Sequence, residues 1–226
     1  MIELKMRKAI SVIFIVIIAC ICMGIVDAVI QPGYVVKSLI KILLFLLLPI
    51  LYSLYDKDCQ LKRLFKLERK GLILAFGMGI TVYIIIVSAY FIFKNVFDFS
   101  SLTTSLTSTT GVNKDNFLWV ALYISFVNSL LEEFFFRGFA FLTLKRMTSR
   151  NFSYIFSSSM FALYHIAMMI GWFKLPVIIL TLIGLFVGGI IFNYFNEKWN
   201  TIYPSWLIHM FANFATNTIG FILFRA

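Results

Sequence analysis

The sequence predicts an all-α, polytopic membrane protein, a bundle of about seven transmembrane helices with a cytoplasmic N-terminus. Three observations predict it. Of 226 residues, 61% are hydrophobic and 13% charged, against roughly 25% charged in soluble domains. Apolar runs close to the ~20 residues that cross a bilayer recur along the chain. Those runs are apolar throughout, without the period-two alternation of barrel strands, which excludes a closed β-barrel. No polar stretch is long enough to build a second core, so one integral-membrane domain over residues 1–226 is expected.

The elements follow in order. The first run, Ala9–Ile30, comes after a basic start, Lys5, Arg7 and Lys8. It resembles a signal peptide, but it is longer than the roughly 7–15 residues of such a core and lacks a small-x-small cleavage site, so it reads as an uncleaved helix. Tyr34–Tyr55 and Gly71–Phe93 are the second and third spans. Between them lies a basic stretch holding Lys57, Lys62, Arg63, Lys66, Arg69 and Lys70. It reads either as a plain loop or as a short surface helix with Leu61, Leu64, Phe65 and Leu67 towards lipid. Ser100–Thr110 is rich in Ser and Thr and reads as a loop. The remaining spans are Phe117–Leu144 (able to run on to Arg146), Phe152–Trp172, Leu175–Phe195 and Ile202–Phe224.

Lys and Arg set the orientation. Counting crossings puts the basic start, the loop 56–70 and the turn with Lys145, Arg146 and Arg150 on one side, read as cytoplasmic. Lys37 and Lys41 break the pattern. They sit near the outer end of the second helix, where their ammonium groups are expected to snorkel. The net charge of +10 would suggest nucleic-acid binding in a soluble protein. Here the cations cluster at segment ends, where anionic headgroups account for them, so the lipid bilayer is the expected partner and nucleic acid is not. Cys20, Cys22 and Cys59 show no disulfide or metal spacing.

Chemistry is concentrated in the fourth run, where Glu132, Glu133 and Arg137 interrupt apolar sequence. Each charge at that depth costs at least ~2.5–3.5 kcal/mol, so each needs a partner or a task. Glu133 and Arg137, spaced i, i+4, share a helix face and can pair. Glu132 is rotated about 100° away and needs another partner. A water or a histidine from a neighbouring helix is the natural one, and Asn128, one turn earlier, is placed to orient it. Both histidines of the chain, His165 and His209, lie in later apolar runs. Glu132 and His165 are each roughly 20 Å from the same basic turn, so antiparallel packing would bring them level. A Glu–His pair around one water is a general-base arrangement, and it is also two-thirds of a zinc site. His209 and Asn213, again i, i+4, offer two donors suited to a developing oxyanion. The bland reading of each histidine is an interhelical hydrogen bond. Ser157–Ser159 and the glycines Gly184, Gly188 and Gly189 read as close helix packing, and Asp27 is assigned no catalytic role. No G-x-S-x-G or H-E-x-x-H pattern occurs.

Glu132-Glu133-x-x-x-Arg137, Phe161-x-x-x-His165 and His209-x-x-x-Asn213, in this order on separate helices, resemble the CAAX protease and bacteriocin-processing family of intramembrane proteases (CPBP, or Abi). The resemblance covers about residues 117–220, expected to be the catalytic core. It implies an endopeptidase that cleaves a membrane-associated peptide or lipidated protein, by CAAX-type trimming or bacteriocin and leader-peptide processing, with a link to self-immunity. By position, Glu132 and His165 would activate water, His209 and Asn213 would bind the oxyanion, and Glu133 and Arg137 would brace the site. Glu132, His165 and His209 also form a possible His₂Glu set for a divalent metal such as zinc. The reading leans towards a metal-free glutamate base, because Asn213 beside His209 suits an oxyanion site better than a ligand shell. The alternatives are a non-catalytic immunity or regulatory scaffold binding a bacteriocin or sensor kinase, and a proton-coupled transporter, which the lack of repeats and broken helices disfavours. A bacterial plasma membrane is the expected location. Oligomeric state and substrate identity are not legible.

Overall fold

The computed structural model describes residues 2–96, 100–170 and 173–225, and every regular element among them is helical. Lipid offers no hydrogen-bond partners, so the backbone of an apolar chain must satisfy itself within each segment. Among the described residues, six helices are long and apolar enough to cross a membrane: α1 (Glu3–Ile30), α2 (Tyr34–Tyr55), α3 (Arg69–Phe93), α5 (Phe117–Met147), α8 (Leu175–Trp199) and α9 (Tyr203–Arg225). Between them lie α4 (Ser100–Thr110), α6 (Arg150–Tyr164) and α7 (Ile166–Met169). Large apolar side chains such as Phe14, Leu51, Ile73 and Ile183 face outwards, as a lipid-facing surface requires.

Three expectations change. The expected fifth span is α-helical over α6 and the short α7, so six helices reach spanning length among the described residues; its expected end, Trp172, lies outside them. Helix α6 breaks at His165, whose N–H bonds the Ala162 carbonyl in a tightened last turn. Ser100–Thr110, expected to be a loop, is helical, with the hydroxyls of Thr107, Thr109 and Thr110 bonded back to carbonyls one turn earlier. The basic stretch forms two short 3₁₀ turns, Lys57–Cys59 and Leu61–Phe65. Leu64 does not face lipid. It is buried with Phe134, Phe141 and Ile202, and its carbonyl accepts from Thr201 Oγ1 and the Ile202 N–H.

The basic segments converge on one end of the bundle. Lys8 pairs with Asp56 and Asp58 at 2.8 and 2.6 Å, and Arg146 donates to the Cys59 carbonyl. At the same end Glu197 accepts from Lys145, Arg150 and the Tyr154 hydroxyl, which sets α8 antiparallel to α6. Cys59 is buried, and desolvation pushes its thiol up to about 12, so it packs as an inert side chain.

Helices α6 and α8 meet through small and polar residues. Ser157 Oγ donates to Asn193 Oδ1 and also to the Phe136 carbonyl of α5, and the Asn193 amide donates to Ser158 Oγ and the Tyr154 carbonyl. A Cβ on Gly189 would lie 2.9 Å from Ser158 Cβ and 3.0 Å from its Cα. Gly184 and Gly188 have open space instead, so only Gly189 of the three carries the close contact. Gly189→Val must separate two backbones. We expect it to destabilise the protein by about 1–3 kcal/mol, read as a lower thermal midpoint in detergent, whereas Gly188→Val should leave the midpoint unchanged.

Candidate active site

Helix α5 carries the carboxylates and is not uniform. Ile124–Asn128 and Glu133–Leu142 are π-helical, separated by the single α-helical turn Ser129–Glu132. A π turn admits one extra residue and shifts everything beyond it around the axis. Helix α9 holds the first of these stretches by its backbone: Trp206 Nε1 donates to the Phe126 carbonyl, the Asn213 amide to Ile124, and the Asn217 amide to Ala121. Glu132 and Glu133 therefore project from a helix locked in register against α9.

Glu133 is fully buried with Arg137, whose Nε lies 3.5 Å from Glu133 Oε2. That separation is a charge contact more than a hydrogen bond. The guanidinium is held mainly by aromatic faces, 3.9 Å from the Phe161 centroid and 4.9 Å from that of Phe192. The same two rings pack His209, and Phe161 also packs His165. Phe161 thus links the arginine to both imidazoles.

The two histidines are oriented through their Nδ1 atoms. His165 Nδ1 lies 2.7 Å from the Phe161 carbonyl, the group left without the His165 N–H where α6 breaks. A carbonyl only accepts, so Nδ1 carries the proton and Nε2 presents a lone pair. His209 Nδ1 lies 2.9 Å from Glu133 Oε1, and a carboxylate paired with arginine fixes the same tautomer. Both Nε2 atoms then point at one oxygen, Glu132 Oε2, at 3.9 Å from His165 and 3.7 Å from His209. These gaps are too long for direct hydrogen bonds.

Lys41 overturns an expectation. It does not snorkel. It is 4% exposed, and its Nζ sits 2.7 Å from Glu132 Oε1 and 2.5 Å from Asn128 Oδ1. The Asn128 amide also donates to Glu132 Oε1 at 3.0 Å. Lys37 likewise turns inwards and pairs with Asp27 at 2.5 Å. That pair lines a small cavity of about 30 Å³ with Thr109, Thr110 and Ala167, one helical turn from Lys41 on the side away from the basic end.

Asn213 differs from its expected place. Its described contact is to the Ile124 carbonyl, a helix–helix bond, and not to Glu132 or either histidine. The structure therefore gathers Glu132, Glu133, Arg137, His165 and His209, adds Asn128 and Lys41, and sets Asn213 beside them as a brace. As for a metal, the imidazole lone pairs and the carboxylate are suitable ligand chemistry. No three such groups among the described residues are spaced to hold an ion, and the Lys41 ammonium already neutralises Glu132. The residues do not form a ready metal centre.

Residues 114–215, just under half of the chain, match the Rce1-like family, described as type II CAAX prenyl endopeptidase Rce1-like. The match is consistent with the CPBP resemblance and covers every motif residue from Asn128 to Asn213. No curated protein and no solved structure matches the chain.

Proposed function

We propose that this multi-pass membrane protein, through its Rce1-like segment 114–215, is an intramembrane endopeptidase acting on a membrane-associated peptide or lipidated protein. The observation that carries this reading is the convergence of both histidine Nε2 atoms on the single open oxygen of Glu132.

A water placed there is flanked by one carboxylate oxygen and two imidazole lone pairs. Glu132 Oε2 takes a proton as the water oxygen bonds to the scissile carbonyl carbon, and the carbonyl π electrons move onto its oxygen. As that tetrahedral intermediate collapses, the C–N bond breaks and the proton passes from Glu132 to the leaving nitrogen. His165 and His209 share the proton load, and the Glu133 carboxylate stabilises His209 when it is protonated, as an orienting carboxylate does. Oxyanion binding by Asn213 uses its second amide N–H or requires release of the Ile124 carbonyl. No metal takes part in this scheme.

The basic segments gathered at one end support a cytoplasmic N-terminus by the positive-inside rule. Cleavage by purified protein in nanodiscs, with prenylated tails and leader peptides as substrates, tests the reading. We expect wild type to cleave at least one class, a chelator to leave the rate unchanged, and His165→Ala to lower kcat by roughly 10²–10⁴-fold. Full activity in His165→Ala contradicts the mechanism, and chelator-sensitive cleavage restores the metal alternative.

A further inference from the structure

Lys41 lies on α2, outside the segment that matches the protease family. Its ammonium has three donors, and two of them go to Asn128 Oδ1 and Glu132 Oε1. The same group lies 5.0 Å from the ring of Tyr164 and 5.6 Å from that of Phe45. A lysine so near the end of a helix has an inexpensive alternative, since its four-carbon stem can carry the charge to the interface. This one is turned into the bundle instead.

The two oxygens of Glu132 have different surroundings. Oε1 accepts from Lys41 and from Asn128. Among the described contacts, Oε2 faces the two imidazole Nε2 atoms, at distances too long for direct hydrogen bonds. A free glutamate carboxylate turns about its last bond and points its oxygens in any direction. Two donors on one side fix the carboxylate plane, so one oxygen is held towards the histidines.

We infer that Lys41 is a positioning residue for the hydrolytic site. It grips Glu132 by one oxygen and so presents the other to the water and the histidines. The inference rests on the proposed role of Glu132 and gives the N-terminal half of the chain a task. The motif-bearing segment supplies the base and both histidines, and α2 supplies the counter-charge that sets the base. The site is incomplete without a helix in which the family motifs have no counterpart.

The test uses the full-length protein in nanodiscs, with wild type and Glu132→Gln as references. Lys41→Met should lower kcat by roughly 10–10²-fold, the scale of lost orienting partners, while KM stays within about twofold, because the contact acts on the base and not on the peptide. Lys41→Ala should behave alike and regain part of its kcat with ethylamine in the buffer, but not with ethanol, a neutral molecule of similar size. An independent arm reads the carboxylate by infrared spectroscopy. A buried carboxylate deprived of its cation takes up a proton. Lys41→Met should then gain the carbonyl band of a carboxylic acid, and that band should be missing when Glu132→Gln is added. A kcat within about threefold of wild type in Lys41→Met overturns the inference, as does a loss of kcat that ethylamine does not restore with no new carboxylic-acid band. If wild type cleaves no peptide, the protease reading fails, and the infrared arm alone decides whether Lys41 sets the state of Glu132.

Discussion

Glu132→Gln should abolish peptide cleavage, with kcat down by roughly 10²–10⁴-fold or more and the protein still inserted and folded. The amide keeps the shape of the side chain and an acceptor for Lys41 and Asn128, so the grip on Oε1 survives in outline. What disappears is the basic oxygen between the two histidine Nε2 atoms. The loss acts in the transition state, so kcat and kcat/KM should fall together while KM holds. The substitution also leaves Lys41 without a full counter-charge in a buried site. Thermal midpoint and detergent-solubilised size must therefore be measured beside activity. Cleavage lost in a well-folded variant supports the glutamate base. Cleavage retained at the wild-type rate removes Glu132 from the chemistry.

Arg137→Ala should have the largest effect on stability. Glu133 and Arg137 are both fully buried, and their charges have few other outlets. Removing one member of such a pair costs about 3–5 kcal/mol, because the remaining charge stays buried without its partner. The deletion also opens space between Phe161 and Phe192, the two rings that pack His209. The expected result is a steep drop in thermal midpoint and in folded yield. A double variant, Arg137→Met with Glu133→Gln, removes both charges and refills the space, and should recover most of that stability. It should not recover full activity, because His209 then loses the carboxylate that fixes its tautomer. A single Arg137→Ala variant as stable as wild type would show that neither the ion pair nor the aromatic contacts of Arg137 hold this part of the bundle.

How far the site could be read from sequence depended on where each charge fell. Glu132, Glu133 and Arg137 stood out because they interrupt the middle of an apolar run, where no bland explanation is available. The level placement of Glu132 and His165 followed from counting residues to a shared basic turn, and the structure brings them together. Lys41 was misread for the opposite reason. It lies seven residues into a run, near enough to an interface for snorkelling to explain it, and only packing decides which way a lysine turns. Asn213 has a contact that its i, i+4 spacing from His209 did not announce. The first π-helical stretch of α5 offers the carbonyl that takes its amide instead, and a uniformly apolar sequence does not reveal where a helix widens. The break of α6 at His165 was hidden for a similar reason, since hydropathy alone does not show where a helix ends.

Helix α9 grips α5 at three main-chain oxygens, those of Ala121, Ile124 and Phe126, and two of its donors, Trp206 and Asn217, also reach the buried hydroxyls of Ser129 and Ser125. A carbonyl is the same whichever side chain its residue bears. The half of α5 leading to the glutamates is thus free to drift at lipid-facing positions such as Leu118 and Trp119, adapting to membranes of different composition while the site stays in register. The evolutionary constraint falls on the donors, Trp206, Asn213 and Asn217, and on the two serines of α5 that share them.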